Sequence, residues 1–102
     1  GADIYTTCKL SVADAVFGGK KTIKTLYGDV AVKIDKGTQQ NDKKKLSNYG
    51  APKLPPNDSQ KGNHYIIFKI DIPKTLNAQE RALFEELSKV EYPIDPKTVK
   101  FA

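Results

Sequence analysis

The chain has 102 residues and a formal net charge of +5, and 38% of its residues are hydrophobic. This length suits one domain with a core of its own. No segment approaches the roughly 20 apolar residues of a membrane helix, and the N-terminus lacks the pattern of a signal peptide. The single cysteine, Cys8, excludes an internal disulfide and a cysteine-rich zinc site. Because the sequence lacks methionine and begins at Gly1, we expect a piece of a longer protein.

The N-terminal segment predicts a strand followed by a short helix. Residues 3–10 alternate between two faces and are rich in β-branched and aromatic side chains, which is typical of a strand. Ser11 and Asp14 have the spacing of a capping box, and Gly18 can adopt the left-handed conformation that ends a helix. The helix between them has about two turns.

The middle of the chain predicts three more strands and a long loop. Residues 20–25 and 30–34 alternate, and Gly28 lies in the turn between them, so they form a hairpin. Residues 43–47 predict a further short strand. Residues 48–63 contain three prolines and many turn-forming residues, which indicate a surface loop.

The strongest strand pattern covers residues 64–72. One of its alternating sets is entirely apolar and is therefore predicted to face the core. This set consists of Ile66, Phe68, Ile70 and Ile72.

A second helix is predicted over residues 77–90, because Asn77 and Glu80 have capping-box spacing and an apolar stripe follows. We assign residues 1–90, including this helix, to one domain and residues 91–102 to a C-terminal tail. The predicted fold class is a mainly β domain with one short helix after the first strand and a helix at the C-terminus.

The positive charge comes almost entirely from lysine, and Arg81 is the only arginine. Lysines attract phosphate without reading sequence, whereas base recognition favours arginine. A solvated lysine-rich surface is therefore the simpler interpretation. A small basic nucleic-acid-binding β domain remains the alternative function.

No catalytic or metal-binding residue is predicted. His64 lacks a specified nucleophile and carboxylate partner, so a structural or solvent-exposed role is expected. Cys8 is expected to act as a small buried hydrophobic residue. The Gly18-Gly19 pair lacks the context of a phosphate-binding loop. The sequence therefore implies no enzyme activity, and it identifies no cofactor.

Seven short motifs lie in a fixed order within residues 2–90. They are Asp3-Ile4-Tyr5, Ala15-Val16-Phe17-Gly18-Gly19, Thr25-Leu26-Tyr27-Gly28, Gly37-Thr38-Gln39, Asn48-Tyr49-Gly50-Ala51-Pro52, Gly62-Asn63-His64-Tyr65 and Pro73-Lys74-Thr75-Leu76. In this order the chain resembles the second β-sandwich subdomain in the C-terminal region of DnaJ-type J-domain co-chaperones. The final motif distinguishes the second subdomain from the first. The chain departs from the family pattern at Asp35, Asn48 and Asn63, all in turns.

The resemblance implies a small β-sandwich that binds unfolded client polypeptides or positions a co-chaperone dimer. The resemblance also implies that the full-length protein delivers clients to a DnaK-type seventy-kilodalton heat-shock chaperone. It implies neither a nucleic-acid nor a membrane partner. The His-Pro-Asp motif of the J-domain does not occur in this sequence. The compartment stays open: the cytoplasm is favoured, with a mitochondrion or another organelle lumen as alternatives.

The resemblance also implies a peptide-binding strand. The strand at 20–25 corresponds to one that flanks a client groove in the first subdomain of the family. Lys21, Ile23 and Lys24 are therefore predicted to bind peptide by strand addition. The alternative is an ordinary edge strand whose lysines prevent aggregation.

A dimer contact is implied at the C-terminal helix. Leu83, Phe84 and Leu87 form a broad apolar stripe there. In the family, dimerisation involves the C-terminal end of this region, so the stripe is predicted to lie in a dimer interface. The alternative is that it packs in the core of its own domain.

Overall fold

A computed structural model describes residues 1–57 and 59–91. Its helices and strands follow the predicted order. They are β1 (Ile4–Ser11), α1 (Val12–Phe17), β2 (Gly19–Thr25), β3 (Gly28–Ile34), β4 (Lys43–Leu46), β5 (His64–Asp71) and α2 (Ala78–Ser88). The predicted mainly β class is confirmed, and both helices lie where the sequence places them.

The chain divides into two compact units, with the boundary between Ile72 and Pro73. The first unit holds the five strands and α1, and the second holds α2. The assignment of residues 1–90 to one domain stays a prediction. The predicted tail lies outside the described residues from position 92 onward.

The strands form one three-stranded and one two-stranded sheet. In the larger sheet, β5 is central: it pairs in parallel with β1 and antiparallel with β4. In the smaller sheet, β2 and β3 form the predicted antiparallel hairpin, with Ile23 opposite Val30. Gly28 has a φ of 106°, which suits glycine at the start of β3.

The two sheets contribute to a single core, as in a β-sandwich. Each buried hydrophobic side chain comes from β1, β3, β5 or α1. The buried hydrophobic residues are Leu10, Ala15, Val32, Ile34, Ile66 and Phe68. Since β3 belongs to one sheet and β1 and β5 to the other, the cluster joins the inward faces of both.

The predicted core face of β5 is correct at its centre and wrong at its end. Ile66 and Phe68 are buried, Ile70 is half-buried, and Ile72 is 67% exposed. Pairing with β1 stops at Ser11 and Asp71, so Ile72 lies beyond the last residue that β1 covers. Alternation alone therefore overestimated the buried length of the strand.

Helix α1 is capped as its sequence predicts. The Ser11 hydroxyl accepts a hydrogen bond from the Asp14 amide at 3.0 Å, and Gly18 follows with a φ of 74°. A Cβ at Gly18 would lie 2.5 Å from the carbonyl oxygen of Ile34. The helix end and the end of β3 thus approach each other more closely than a larger residue permits.

Candidate peptide-binding site

Strand β2 has one open edge within the described part of the chain. It pairs with β3 on one side, and β1 likewise pairs on one side with β5. An open edge presents unpaired N–H and C=O groups to which an extended peptide can add. The strand predicted from the sequence to bind peptide is therefore available for backbone pairing.

The three predicted peptide-binding residues do not share one face of β2. Lys21 and Ile23 are half-buried, and Ile23 packs against the core. Lys24 points to the other face, where it is exposed opposite Asp29. The structure thus brings Lys21 and Ile23 together and separates Lys24 from them.

Three elements meet around Lys21. Its Nζ lies 3.5 Å from Oδ2 of Asp14 on α1, and both side chains remain partly exposed. Cys8 of β1 is close enough that both charges affect its thiol. Burial raises the pKa of Cys8, Lys21 lowers it by a smaller amount, and Asp14 raises it slightly. Cys8 packs against the core but is half-buried, so the expected buried position is realised only in part.

The concavity beside this cluster is small. A cavity of about 30 Å³ is lined by Asp14, Gly18, Gly19, Lys20, Lys21 and Ile34. That is the volume of about one water molecule in the liquid, which is too small for a peptide side chain. A peptide at β2 would therefore depend on backbone pairing and on shallow contacts rather than on a deep pocket.

A larger cavity, which no pattern in the sequence indicates, lies elsewhere in the first unit. It has a volume of about 900 Å³ and is bounded by residues 1–3 and by the loop at 48–63. The loop is a hairpin-like structure, since the Lys53 amide donates to Gln60 O at 2.9 Å and the Gly62 amide donates to Ala51 O at 2.9 Å. No alternation of residues in this segment indicates these pairs.

Tyr27 attaches this loop to the turn between β2 and β3. Its hydroxyl donates to the Gly50 carbonyl at 2.7 Å, and Nζ of Lys61 lies 3.9 Å from the ring centroid. A cation above an aromatic face is attracted to it. Tyr27 belongs to one of the quoted motifs, but the sequence alone did not reveal its partners.

His64 lies buried at the start of β5. It is 2% exposed, and its Nε2 lies 2.9 Å from the Thr6 hydroxyl. The structural role expected for it agrees with this position, whereas a solvent-exposed role does not. Within residues 1–57 and 59–91, no cluster of three or more His, Cys, Asp or Glu side chains could hold a metal ion. In the same part of the chain, neither helix has the length and apolarity required to span a membrane.

The predicted dimer residues lie on one stripe of α2. Asn77 and Glu80 form the expected capping box, with the Glu80 amide 2.8 Å from Oδ1 of Asn77. Leu83, Phe84 and Leu87 are all exposed within the described structure. The helix thus carries an exposed apolar stripe, and a dimer contact there stays a prediction.

Comparison with known proteins identifies the family to which the chain belongs. The DnaJ C terminal domain family matches residues 1–73, nearly the same range as the first compact unit. A chaperone protein DnaJ of Acholeplasma laidlawii is 36% identical over 93 residues, covering 91% of this chain and 25% of the relative. A mitochondrial chaperone protein dnaJ of Arabidopsis thaliana is 40% identical over 92 residues, covering 89% of this chain and 20% of the relative. A chaperone protein DnaJ of Lactobacillus delbrueckii subsp. bulgaricus is 42% identical over 86 residues, covering 83% of this chain and 22% of the relative.

These matches confirm the family that the chain was predicted to resemble. The described chain is a small, mainly β domain with two sheets. It belongs to the DnaJ C-terminal domain family. The chain spans a quarter or less of the length of these three curated relatives.

Proposed function

We propose that this chain is a client-binding part of a DnaJ-type co-chaperone. It holds extended segments of unfolded polypeptides through the open edge of β2, and it carries out no catalysis. The observation that supports this proposal best is the unpaired edge of β2 beside the half-buried Ile23. The whole co-chaperone then delivers the bound client to a DnaK-type heat-shock chaperone.

Backbone pairing supplies the sequence-independent part of this binding. Main-chain hydrogen bonds along a sheet edge form with any extended segment, which suits a protein that must accept many clients. The small size of the cavity beside Lys21 supports the same mode, because it offers little room for selecting a side chain.

Ile23 supplies the apolar contact. It is partly accessible at the margin of the core, so a client side chain can cover its remaining surface. Burying an aliphatic group gains about 0.8 kcal/mol per methylene, so Ile23 contributes about 1–2 kcal/mol to binding.

The lysines act at different stages. Lys24 is exposed, and it attracts acidic client segments during encounter. Lys21 is held near Asp14, so its charge is partly neutralised before a client arrives. Lys24 therefore affects the association rate more than Lys21 does.

In the proposed function, the C-terminal helix α2 positions the dimer. Leu83, Phe84 and Leu87 contact a second copy of the chain and so hold two client-binding domains in one dimer. Two linked sites increase the apparent affinity for a long unfolded client, because the second contact becomes intramolecular.

N-methylated peptides test the proposed binding mode directly. A strand added to a sheet edge uses the N–H groups of alternate residues, so methylating one set should weaken binding to the chain and methylating the other should not. Fluorescence anisotropy of a labelled apolar peptide measures both affinities. Equal affinities for the two methylated peptides would contradict strand addition.

Substitutions on β2 locate the site. Ile23→Ser should weaken peptide binding by about 1–2 kcal/mol, whereas Thr22→Ser, on the outward face of the same strand, should leave it unchanged. Because Ile23 packs against the core, Ile23→Val serves as a milder variant that keeps the fold. Lys24→Gln should slow association and reduce its salt dependence. Unchanged peptide binding by all of these folded variants would place the client site elsewhere.

A further inference from the structure

The outward face of the three-stranded sheet carries a second group of accessible residues, distinct from the β2 edge. Odd-numbered residues of β1, β4 and β5 point away from the core: those of β1 and β4 are exposed, whereas Tyr65, Ile67 and Lys69 of the central strand are half-buried. The strand register brings them into rows across the sheet. We call this surface the lysine face, and its principal members are Tyr5, Lys9, Lys43, Lys45, Tyr65 and Lys69.

The charge on the lysine face is concentrated and poorly compensated. Lys9 lies directly opposite Lys69, an arrangement that costs stability because like charges repel across a sheet. Lys69 donates a hydrogen bond to the Asn41 side chain, a neutral partner. Within the described residues, none of the four lysines of this face lies within 4.0 Å of a carboxylate oxygen. Asp71 is the one acid that these three strands place on this face, at its far end.

The centre of the face is apolar. Tyr5 and Tyr65 stack with their ring centroids 5.0 Å apart and their planes at 16°. Ile67 follows on the same face of β5, and Lys43 lies opposite it on β4. Tyr5 is 60% exposed, so an incoming side chain can reach its ring. An apolar centre is thus bordered by positive charge along β4 and at one end of the sheet.

We propose that the lysine face binds an acidic peptide segment that carries an aromatic or aliphatic side chain between its carboxylates. The apolar side chain covers Tyr5 and Ile67, and the flanking carboxylates lie near the lysine pairs. This arrangement relieves the repulsion between Lys9 and Lys69, which the free protein leaves uncompensated.

The same surface fits a peptide better than a nucleic acid. Each tyrosine ring already has one face covered by the other, so the pair offers fewer free faces for base stacking. Ile67 adds aliphatic surface at the centre, which suits a peptide side chain. The face contains no arginine, the residue that pairs best with guanine.

Titration of the full 102-residue chain tests this proposal. The probe is a fluorescein-labelled peptide in which glutamates flank a central Phe-Leu pair, and its neutral counterpart has glutamine at every glutamate. Labelled oligothymidylate tests the nucleic-acid alternative. Anisotropy at low and at moderate salt gives the affinity and its salt dependence for each probe.

Paired lysine variants locate the binding surface. Lys9→Gln/Lys69→Gln and Lys43→Gln/Lys45→Gln should each weaken binding of the acidic peptide by about threefold to tenfold, the scale of two exposed charge pairs. Lys33→Gln/Lys36→Gln removes the same charge from exposed positions on β3 and the turn after it, and should change the affinity by less than about twofold. Tyr5→Ser should weaken binding without changing the salt dependence.

Three results would overturn the proposal. The first is an equal loss of affinity in the Lys33→Gln/Lys36→Gln control, which would indicate long-range attraction alone. The second is equal binding of the neutral peptide. The third is tighter binding of oligothymidylate than of the acidic peptide, with loss in the same lysine variants. Thermal unfolding of each variant confirms that the folded protein is being measured.

Discussion

The hydroxyl of Thr6 on β1 is hydrogen-bonded to the buried imidazole of His64 on β5, with 2.9 Å between Oγ1 and Nε2. His64 is 2% exposed, and its Nδ1 has no hydrogen-bond partner within the described residues. The bond to Thr6 is therefore the one side-chain hydrogen bond that the structure gives this ring. A buried polar group without any partner costs free energy, so the hydrogen bond to Thr6 offsets part of the cost of burying the His64 imidazole.

Thr6→Val should destabilise the domain by about 1–3 kcal/mol, because it removes the partner of a buried nitrogen while preserving the shape of the side chain. Thr7→Val, on the exposed face of the same strand, should change stability by less than about 0.5 kcal/mol. Urea unfolding of both variants measures the difference. Similar stabilities for the two would show that the bond contributes little.

Phe68 and Ile72 should differ strongly in the cost of truncation. Phe68→Ala should cost about 3–5 kcal/mol, because the side chain is 4% exposed in the core. Ile72→Ala should cost less than about 1 kcal/mol, because that side chain is largely exposed. Chemical denaturation measures both costs. A loss of stability in Ile72→Ala as large as that in Phe68→Ala would mean that Ile72 is buried in the core after all.

Neighbouring glycines at the end of α1 should differ in their tolerance of alanine. Gly18 and Gly19 have φ values of 74° and 147°, so both substitutions strain the backbone. A Cβ at Gly18 also meets Ile34 O at 2.5 Å, whereas a Cβ at Gly19 meets nothing within 4 Å. Gly18→Ala should therefore cost about 1–3 kcal/mol more than Gly19→Ala in thermal or urea unfolding. Equal costs would mean that backbone strain alone decides.

The Cys8 thiol should titrate at a higher pH in the folded chain than in the unfolded chain, because burial raises its pKa. Since the folded state binds this proton more tightly, Cys8 contributes to the free energy of unfolding. This contribution is fully present below the pKa of the thiol in the unfolded chain and is lost as the pH rises through its pKa in the folded chain. The rate of alkylation against pH, with and without urea, measures both values. Lys21→Gln should raise the folded pKa further, and Asp14→Asn should lower it. A lower pKa of Cys8 in Lys21→Gln, or a higher one in Asp14→Asn, would contradict the proximity of these three side chains.

The α2 stripe should control self-association if it forms the dimer contact. Leu83→Gln/Leu87→Gln should raise the dimer dissociation constant by about tenfold or more, since each leucine loses buried apolar area. Ala82→Gln, on the opposite side of the helix, is the matched control. Light scattering over a concentration series measures the mass. A chain that is monomeric at every concentration, or a dimer insensitive to both leucines, would remove the stripe from the interface.

Local patterns predicted most of the secondary structure because they depend on neighbouring residues. The capping pairs at Ser11 and Asn77 placed both helices, and alternation placed four of the five strands. Ile72 was misplaced because its burial depends on where β1 ends, which alternation within β5 does not contain.

The candidate site was harder to predict than the elements that form it. The resemblance singled out Lys21, Ile23 and Lys24, but alternation within β2 puts Lys24 on the opposite face from the other two. The lysine face depends on the register of β1, β4 and β5, which joins residues distant in the sequence. Individual strand patterns contain no information on which strands are neighbours.

The parallel pairing of β1 with β5 also determines the order in which the fold can be completed. Asp3 accepts a hydrogen bond from the Asn63 amide across a separation of 60 residues. The β2–β3 hairpin needs only its own short turn, whereas β1 must wait for the last strand of the unit. During synthesis on the ribosome, β1 emerges first and leaves its pairing edge exposed until β5 follows. A domain proposed to bind unfolded chains therefore passes through a stage in which its own first strand resembles a client.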